Sequence, residues 1–318
     1  MNDYTSELLA CHERIKPYIH NTPILTSSLI NEMVGAELYF KCENFQKMGA
    51  FKMRGATNAI LQLSENEKKR GVVTHSSGNF AQAVALAAKS TGVKATIVMP
   101  ENAPKVKVEA VKGYGGKVVL CEPTNEARQA TADKIVDETG ATFLHPSNDL
   151  PVIIGQGTAA LELLNEVSDL DALFVPVGGG GLAAGTIIAV QNAKYKPLVY
   201  GGEPEEVDDA YRSLKSGKIE HNRSLNTIAD GLKTHLGDVN FPIIKEGIEE
   251  IILVSEEEII DAMKIIWSRM KIIIEPSCAV PFAVILKHKE SFKDKKLGVI
   301  LSGGNVDLAS ILAHPSFK

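Results

Sequence analysis

Short apolar runs alternate with helix-like stretches along most of this 318-residue chain, and glycines and turn residues gather just after the apolar runs. The runs fall at residues 37–42, 72–74, 95–99, 117–120, 172–177, 198–200, 251–254 and 297–301. Helical patterns fall at 51–63, 80–89, 105–112, 125–139 and 151–167, and a long one ends near 270. Continuous apolar strands separated by helices predict parallel sheets covered on both faces, so the fold class is α/β. Two twisted sheets are expected, with a smaller unit at 71–148 inserted into a larger one made of 1–68 and 149–318. Residues 1–36 read as an arm with helical stretches, broken at Thr22-Pro23, and Thr26-Ser27-Ser28 can cap a helix. In open sheets of this kind ligands sit beyond the carboxyl ends of the strands, which is where the glycines are.

Composition removes several function classes. Hydrophobic residues make up 44% of the chain, enough for a large core. The net charge is −5 and no basic stripe is visible, which argues against nucleic acid or an anionic membrane as partner. No apolar run is long enough to span a bilayer. The start, Met1-Asn2-Asp3-Tyr4, lacks the charged and apolar regions of a signal peptide. Cys11, Cys42, Cys121 and Cys278 match no metal spacing and read as reduced, buried thiols of a cytoplasmic protein.

Five loops carry the candidate chemistry. Lys52 stands between Phe51 and Met53, where a strand gives way to a helix. A lysine there can lie on the floor of a cleft, and loss of water favours its neutral, nucleophilic form; the bland alternative is a side chain with its head in solvent. Ser76-Ser77-Gly78-Asn79 precedes another helix and offers hydroxyls, an amide and free N–H groups to an anion. An ordinary cap would look the same. Gly178-Gly179-Gly180-Gly181-Leu182 follows a buried strand and opens a helix, a backbone able to wrap a phosphate. The same stretch fits a dinucleotide fingerprint, with Gly178, Gly180 and Ala183 as its small residues and Glu203 as the ribose acid, so a nicotinamide-linked oxidoreductase is an alternative. Ser302-Gly303-Gly304-Asn305 follows the last strand and places a hydroxyl where it can meet a ring nitrogen, or simply forms a turn. Glu203-Pro204-Glu205-Glu206-Val207-Asp208-Asp209 is an acidic loop suited to Mg²⁺ or another hard cation, or to plain solvation.

These pieces, in this order, resemble the fold-type II pyridoxal-phosphate enzymes over nearly the whole chain. Phe51-Lys52-Met53-Arg54-Gly55, Ser76-Ser77-Gly78-Asn79, the glycine loop and Ser302-Gly303-Gly304-Asn305 carry the likeness. Gly155-Gln156-Gly157-Thr158, Ile228-Ala229-Asp230-Gly231 and Glu275-Pro276-Ser277 draw it toward the serine racemases and the related serine/threonine and hydroxyaspartate dehydratases. The resemblance implies that Lys52 holds pyridoxal 5'-phosphate as an imine and that Phe51 packs on its ring. Gly178, Gly179, Gly180, Gly181 and Leu182 would bind the phosphate, Asn79 the ring hydroxyl and Ser302 the ring nitrogen. Ser76, Ser77, Gly78 and Asn79 would grip the substrate carboxylate. Glu203, Asp209 and the Val207 carbonyl would hold Mg²⁺, Ca²⁺ or Mn²⁺. It further implies a homodimer acting on a small β-hydroxy amino acid: elimination from L-serine and L-threonine, with serine racemisation by Lys52 and Ser77 on opposite faces, or action on 3-hydroxyaspartate. Phe80 and Cys278 depart from the family pattern beside the expected substrate space.

Overall fold

The computed structural model describes residues 4–313 and Phe317. Met1, Asn2 and Asp3, part of the start read as carrying no leader, lie outside them. Among the described residues ten strands form two sheets. The larger runs β1-β2-β10-β7-β8-β9, with β1 at Ile24–Leu25, β2 at Glu37–Cys42, β7 at Ala172–Pro176, β8 at Leu198–Pro204, β9 at Glu250–Val254 and β10 at Lys296–Leu301. The smaller runs β5-β4-β3-β6, with β3 at Val72–His75, β4 at Ala95–Pro100, β5 at Lys117–Cys121 and β6 at Thr142–Phe143. Every pairing is parallel except β1 with β2. All five residues of β7 are buried, as a central strand covered on both faces requires.

Helix positions follow local chemistry. Ser27 accepts the N–H of Ile30 and caps helix Ser28–Val34. Ser64 and Ser255 form capping boxes with Glu67 and Glu258, which start helices Glu65–Arg70 and Glu256–Met270. Three helices meet backbone to backbone. A Cβ added to Gly155 of Leu150–Glu166 would lie 2.5 Å from the Gly55 Cα of Lys52–Leu61. One added to Gly157 would lie 2.5 Å from the Gly185 carbonyl of Gly181–Gln191. No side chain fits in either seam.

Some elements differ from the sequence reading. Strand β8 does not stop at Tyr200; it continues through Gly201 and Gly202 to Pro204, because β7 and β9 pair with it on both sides. Gly202 is small because helix Pro276–Lys287 presses there: a Cβ would lie 2.9 Å from Val280 Cγ1. That helix, and the short ones at Asp209–Ser216 and Asn240–Gly247, are absent from the sequence reading. Two prolines and a fully apolar middle hide the periodicity of Pro276–Lys287. Among the described residues no helix is long and apolar enough to cross a membrane.

Candidate active site

The loops singled out in the sequence converge at the carboxyl ends of parallel strands. Lys52 follows β2, Ser76 to Asn79 follow β3, the glycine loop follows β7 and Ser302 follows β10. Backbone contacts tie them together. Phe51 donates its N–H to the Ser302 carbonyl at 3.0 Å, and Ala50 bridges Gly303.

Lys52 opens its helix, and its Nζ donates to the Pro146 carbonyl at 2.7 Å. The amine lies 5.0 Å from the Phe51 ring centroid and 5.7 Å from that of Phe80. Removal from water lowers its pKa from 10.5 to about 8, while Glu275 pulls the other way. Phe80, the departure noted in the sequence, is thus part of the wall that dries this amine. Two residues on, Arg54 is fully buried between Glu43 and Glu162. Its Nε and Nη2 reach Glu43 at 2.7 and 2.8 Å, and its Nη1 and Nη2 reach Glu162 at 2.7 Å each. Lys41 adds a second cation 2.7 Å from Glu162, so two buried cations face two buried carboxylates. This neutral cluster pins the first turn of the helix that presents Lys52. Removing one partner would strand a charge, at a cost of about 3–5 kcal/mol.

The glycine loop is crowded on its outer side. A Cβ on Gly178 would meet the Leu232 Cα at 2.7 Å, and one on Gly179 would meet the Ser147 Oγ at 2.5 Å. Gly180 has φ +80°, and a Cβ on Gly181 would meet the Ser147 backbone at 2.9 Å. On the inner side, among the described residues, no acceptor takes the N–H groups of Gly178, Gly179, Gly180 or Gly181, although all four residues are buried. Four buried, unpaired N–H groups at the start of an 11-residue helix call for an anion, and a phosphate supplies one. A lysine of lowered pKa and a phosphate cradle on one floor are what a phosphorylated aldehyde cofactor needs. The donor set fits pyridoxal phosphate.

Asn79 caps this floor from the side of the smaller sheet. Its Nδ2 donates to Glu275 at 2.9 and 3.2 Å, and its Oδ1 accepts from Asn305 Nδ2 at 2.8 Å. Ser76 takes the Gly78 N–H at 3.3 Å, and a Cβ on Gly78 would meet nothing within 4 Å, so the turn borders open space. Ser77 is half-buried in that turn, Ser302 is buried, and Cys278 is a buried thiol pushed well above its usual range by burial. Glu275, Asn305, Ser147 and His145 were given no role in the sequence reading. His145 accepts the Ser147 and Asn148 N–H groups on Nδ1, and burial lowers its pKa to about 4. Only contact across the fold brings these residues in. The one hint in sequence is that Glu275 and Asn305 stand within Glu275-Pro276-Ser277 and Ser302-Gly303-Gly304-Asn305.

The acidic segment is a separate cluster and not a loop at its start. Glu203 lies on β8, buried, and accepts the N–H groups of Ala210 and Tyr211 at 2.9 and 2.8 Å. It is closed in by protein and out of reach of a ribose hydroxyl, so the dinucleotide alternative loses its key acid. Asp209 opens helix Asp209–Ser216, fully buried, with neither carboxylate oxygen in hydrogen-bond geometry. Burial raises its pKa to about 7, with Asn222 and the Leu236 backbone opposing the rise. Burial raises that of Glu203 well above the ordinary value, and Asp209 adds to it.

A family model described as pyridoxal-phosphate dependent enzyme matches residues 15–303. The chain belongs to this family. It is 53% identical to the serine racemase of Dictyostelium discoideum over 311 residues, covering 96% of this chain and 95% of that one. It is 49% identical to the β-hydroxyaspartate dehydratase of Paracoccus denitrificans, covering 95% and 96%. Among solved structures, a threonine deaminase of T.th. superposes with a TM-score of 0.90 at 43% identity, covering 95% of this chain and 98% of that one. The chain is thus a pyridoxal-phosphate enzyme with the fold-type II architecture.

Proposed function

We propose that this enzyme eliminates water from small β-hydroxy amino acids to an enamine that water then hydrolyses to a 2-oxo acid and ammonia, and that it also racemises serine. The observation that carries the reading is the pairing of a desolvated Lys52 amine with four unpaired N–H groups of the glycine loop. Lys52 carries the cofactor, and the N–H groups of Gly178 to Gly181, with Leu182, hold its phosphate. Phe51 would pack on its ring, Asn79 would face its hydroxyl and Ser302 its nitrogen. When bound, the cofactor supplies the electron sink that makes the substrate's α-proton acidic. Ser76, Ser77, Gly78 and Asn79 hold the substrate carboxylate at a helix N-terminus. The Lys52 amine would take the α-proton on one face. Ser77 serves the other face. Phe80 and the Pro146 carbonyl keep water from the Lys52 amine.

A second group of residues supports a cation. Asp209 and Glu203 are two buried carboxylates whose pKa values burial raises, and with the Val207 carbonyl they would form an oxygen set suited to Mg²⁺, Ca²⁺ or Mn²⁺. The four unpaired, buried cysteines favour a reducing, cytoplasmic setting, and the reading includes a homodimer. The 71–148 unit acts as the mobile part that closes over the site.

Chiral analysis of the products from L-serine, D-serine, L-threonine and 3-hydroxyaspartate tests the reading. Wild type should release 2-oxo acid and produce D-serine from L-serine. Lys52→Ala should lose the yellow colour and all turnover. Ser77→Ala should lose at least tenfold more racemisation than L-serine elimination (about 1.4 kcal/mol of selective transition-state loss). Equal losses would remove the second-face role of Ser77, and a colourless wild type would remove the whole reading.

A further inference from the structure

The two carboxamides at the seam between the sheets are wired in one sense only. Asn305 Nδ2 can only donate, so the atom 2.8 Å from it on Asn79 is the amide oxygen. The other amide atom, which faces Glu275, is therefore the Asn79 nitrogen, and it donates to the Glu275 carboxyl oxygens. Both Glu275 oxygens lie near that nitrogen, at 2.9 and 3.2 Å, and one carboxylate chelating one amide hydrogen leaves the other hydrogen for a ligand. The clamp is itself held. Asn305 Nδ2 also donates to the Met48 carbonyl at 2.9 Å, which uses both its hydrogens. Met48 sits at φ +57°, and a Cβ on Gly49 would lie 2.8 Å from Asn305 Oδ1, so the backbone is shaped around this side chain. Glu275 donates its backbone N–H to the Gly303 carbonyl, and a Cβ on Gly303 would lie 2.8 Å from its Oε1. Glu275 is buried, as is most of what surrounds it.

The three residues come from different parts of the fold. Asn79 begins the helix after β3, in the smaller sheet's unit, whereas Glu275 precedes helix Pro276–Lys287 and Asn305 follows β10, both in the larger. A second bond crosses the same seam, from Lys107 Nζ to Asp230 at 2.6 Å. We infer that Glu275 and Asn305 are positioning residues: they clamp the Asn79 amide from both ends, fix its N–H toward the cofactor ring, and so make seating of the cofactor depend on the two units being closed together. This rests on the cofactor reading given above and goes beyond it, since both residues act through Asn79, Glu275 adding only its electrostatic pull on the Lys52 amine.

The test is a double-mutant cycle on cofactor affinity. Cofactor-free wild type, Glu275→Gln, Asn305→Ala, Asn79→Ala and the pairs Glu275→Gln/Asn79→Ala and Asn305→Ala/Asn79→Ala are titrated with pyridoxal phosphate and followed by visible absorbance. Glu275→Gln and Asn305→Ala should each weaken binding by roughly tenfold to a hundredfold, as loss of a charge-assisted or fully buried hydrogen bond does. With Asn79 already removed, either change should add less than about twofold, because its partner is gone. Purely structural damage would lower affinity equally in both backgrounds. Additive losses, or a Glu275→Gln protein that binds like wild type, would overturn the clamp. If Glu275→Gln does not fold, the Asn305→Ala cycle decides by the same criteria. A wild type that takes up no cofactor would overturn the cofactor reading as well; a wild type that binds it alongside an indifferent cycle overturns the clamp alone.

Discussion

The ammonium of a surface lysine is almost never neutral at physiological pH, and Lys52 differs because two aromatic rings and a carbonyl replace its water. With its pKa lowered to about 8, the neutral amine that attacks an aldehyde becomes abundant near pH 8. Covalent uptake of the cofactor by the cofactor-free protein should speed up about tenfold per pH unit below that value and level off above it. Stopped-flow absorbance across pH 6–10 reads this directly, and a midpoint above pH 10 would return Lys52 to an ordinary lysine. The sequence made this residue visible because Lys52 sits where a strand becomes a helix. It did not make Glu275 or Asn305 visible as partners of Asn79. Their bonds join residues about 200 positions apart, and no local spacing encodes such a contact.

At the scale of elements, β8 and the helix after it bring two buried acids together. Glu203 at the strand end and Asp209 at the helix start are forced together by a short connection and shut off from water. For Asp209 the folded pKa is about 7 against an ordinary value of 3.8, so the folded form holds its proton longer than the unfolded one. The Asp209 contribution to folding stability in the metal-free protein should then fall as pH rises from about 4 to about 7 and level off above that, while the Glu203 contribution falls through its own raised range. Added Mg²⁺ should raise the melting temperature clearly at pH 8 and little at pH 5, and a chelator should reverse it. Equal responses at both pH values would count against a cation on these residues. The acidic residues were legible in sequence, but their placement was not. The apolar run 198–200 was expected to stop at Tyr200, whereas Gly202 lets helix Pro276–Lys287 lie close on a continuing strand.

For the molecule as a whole, alternation of strand and helix was enough to foresee two parallel sheets, since each buried strand leaves a continuous apolar run. The order of strands was not readable, because pairings such as β10 between β2 and β7 join the two ends of the chain. The glycine seams explain how the site stays assembled across that distance. Gly155→Ala should destabilise the fold by about 1–3 kcal/mol in chemical denaturation, since its new methyl meets the Gly55 backbone and not a yielding side chain. Native-like stability would show that the seam has slack. The three helices joined there cannot slide or spread independently, so the chain's own architecture dictates where novelty can arise. New substrate preferences in descendants of this protein would have to be written in side chains that border the reacting amine, such as Phe80, while the helical platform beneath is inherited unaltered.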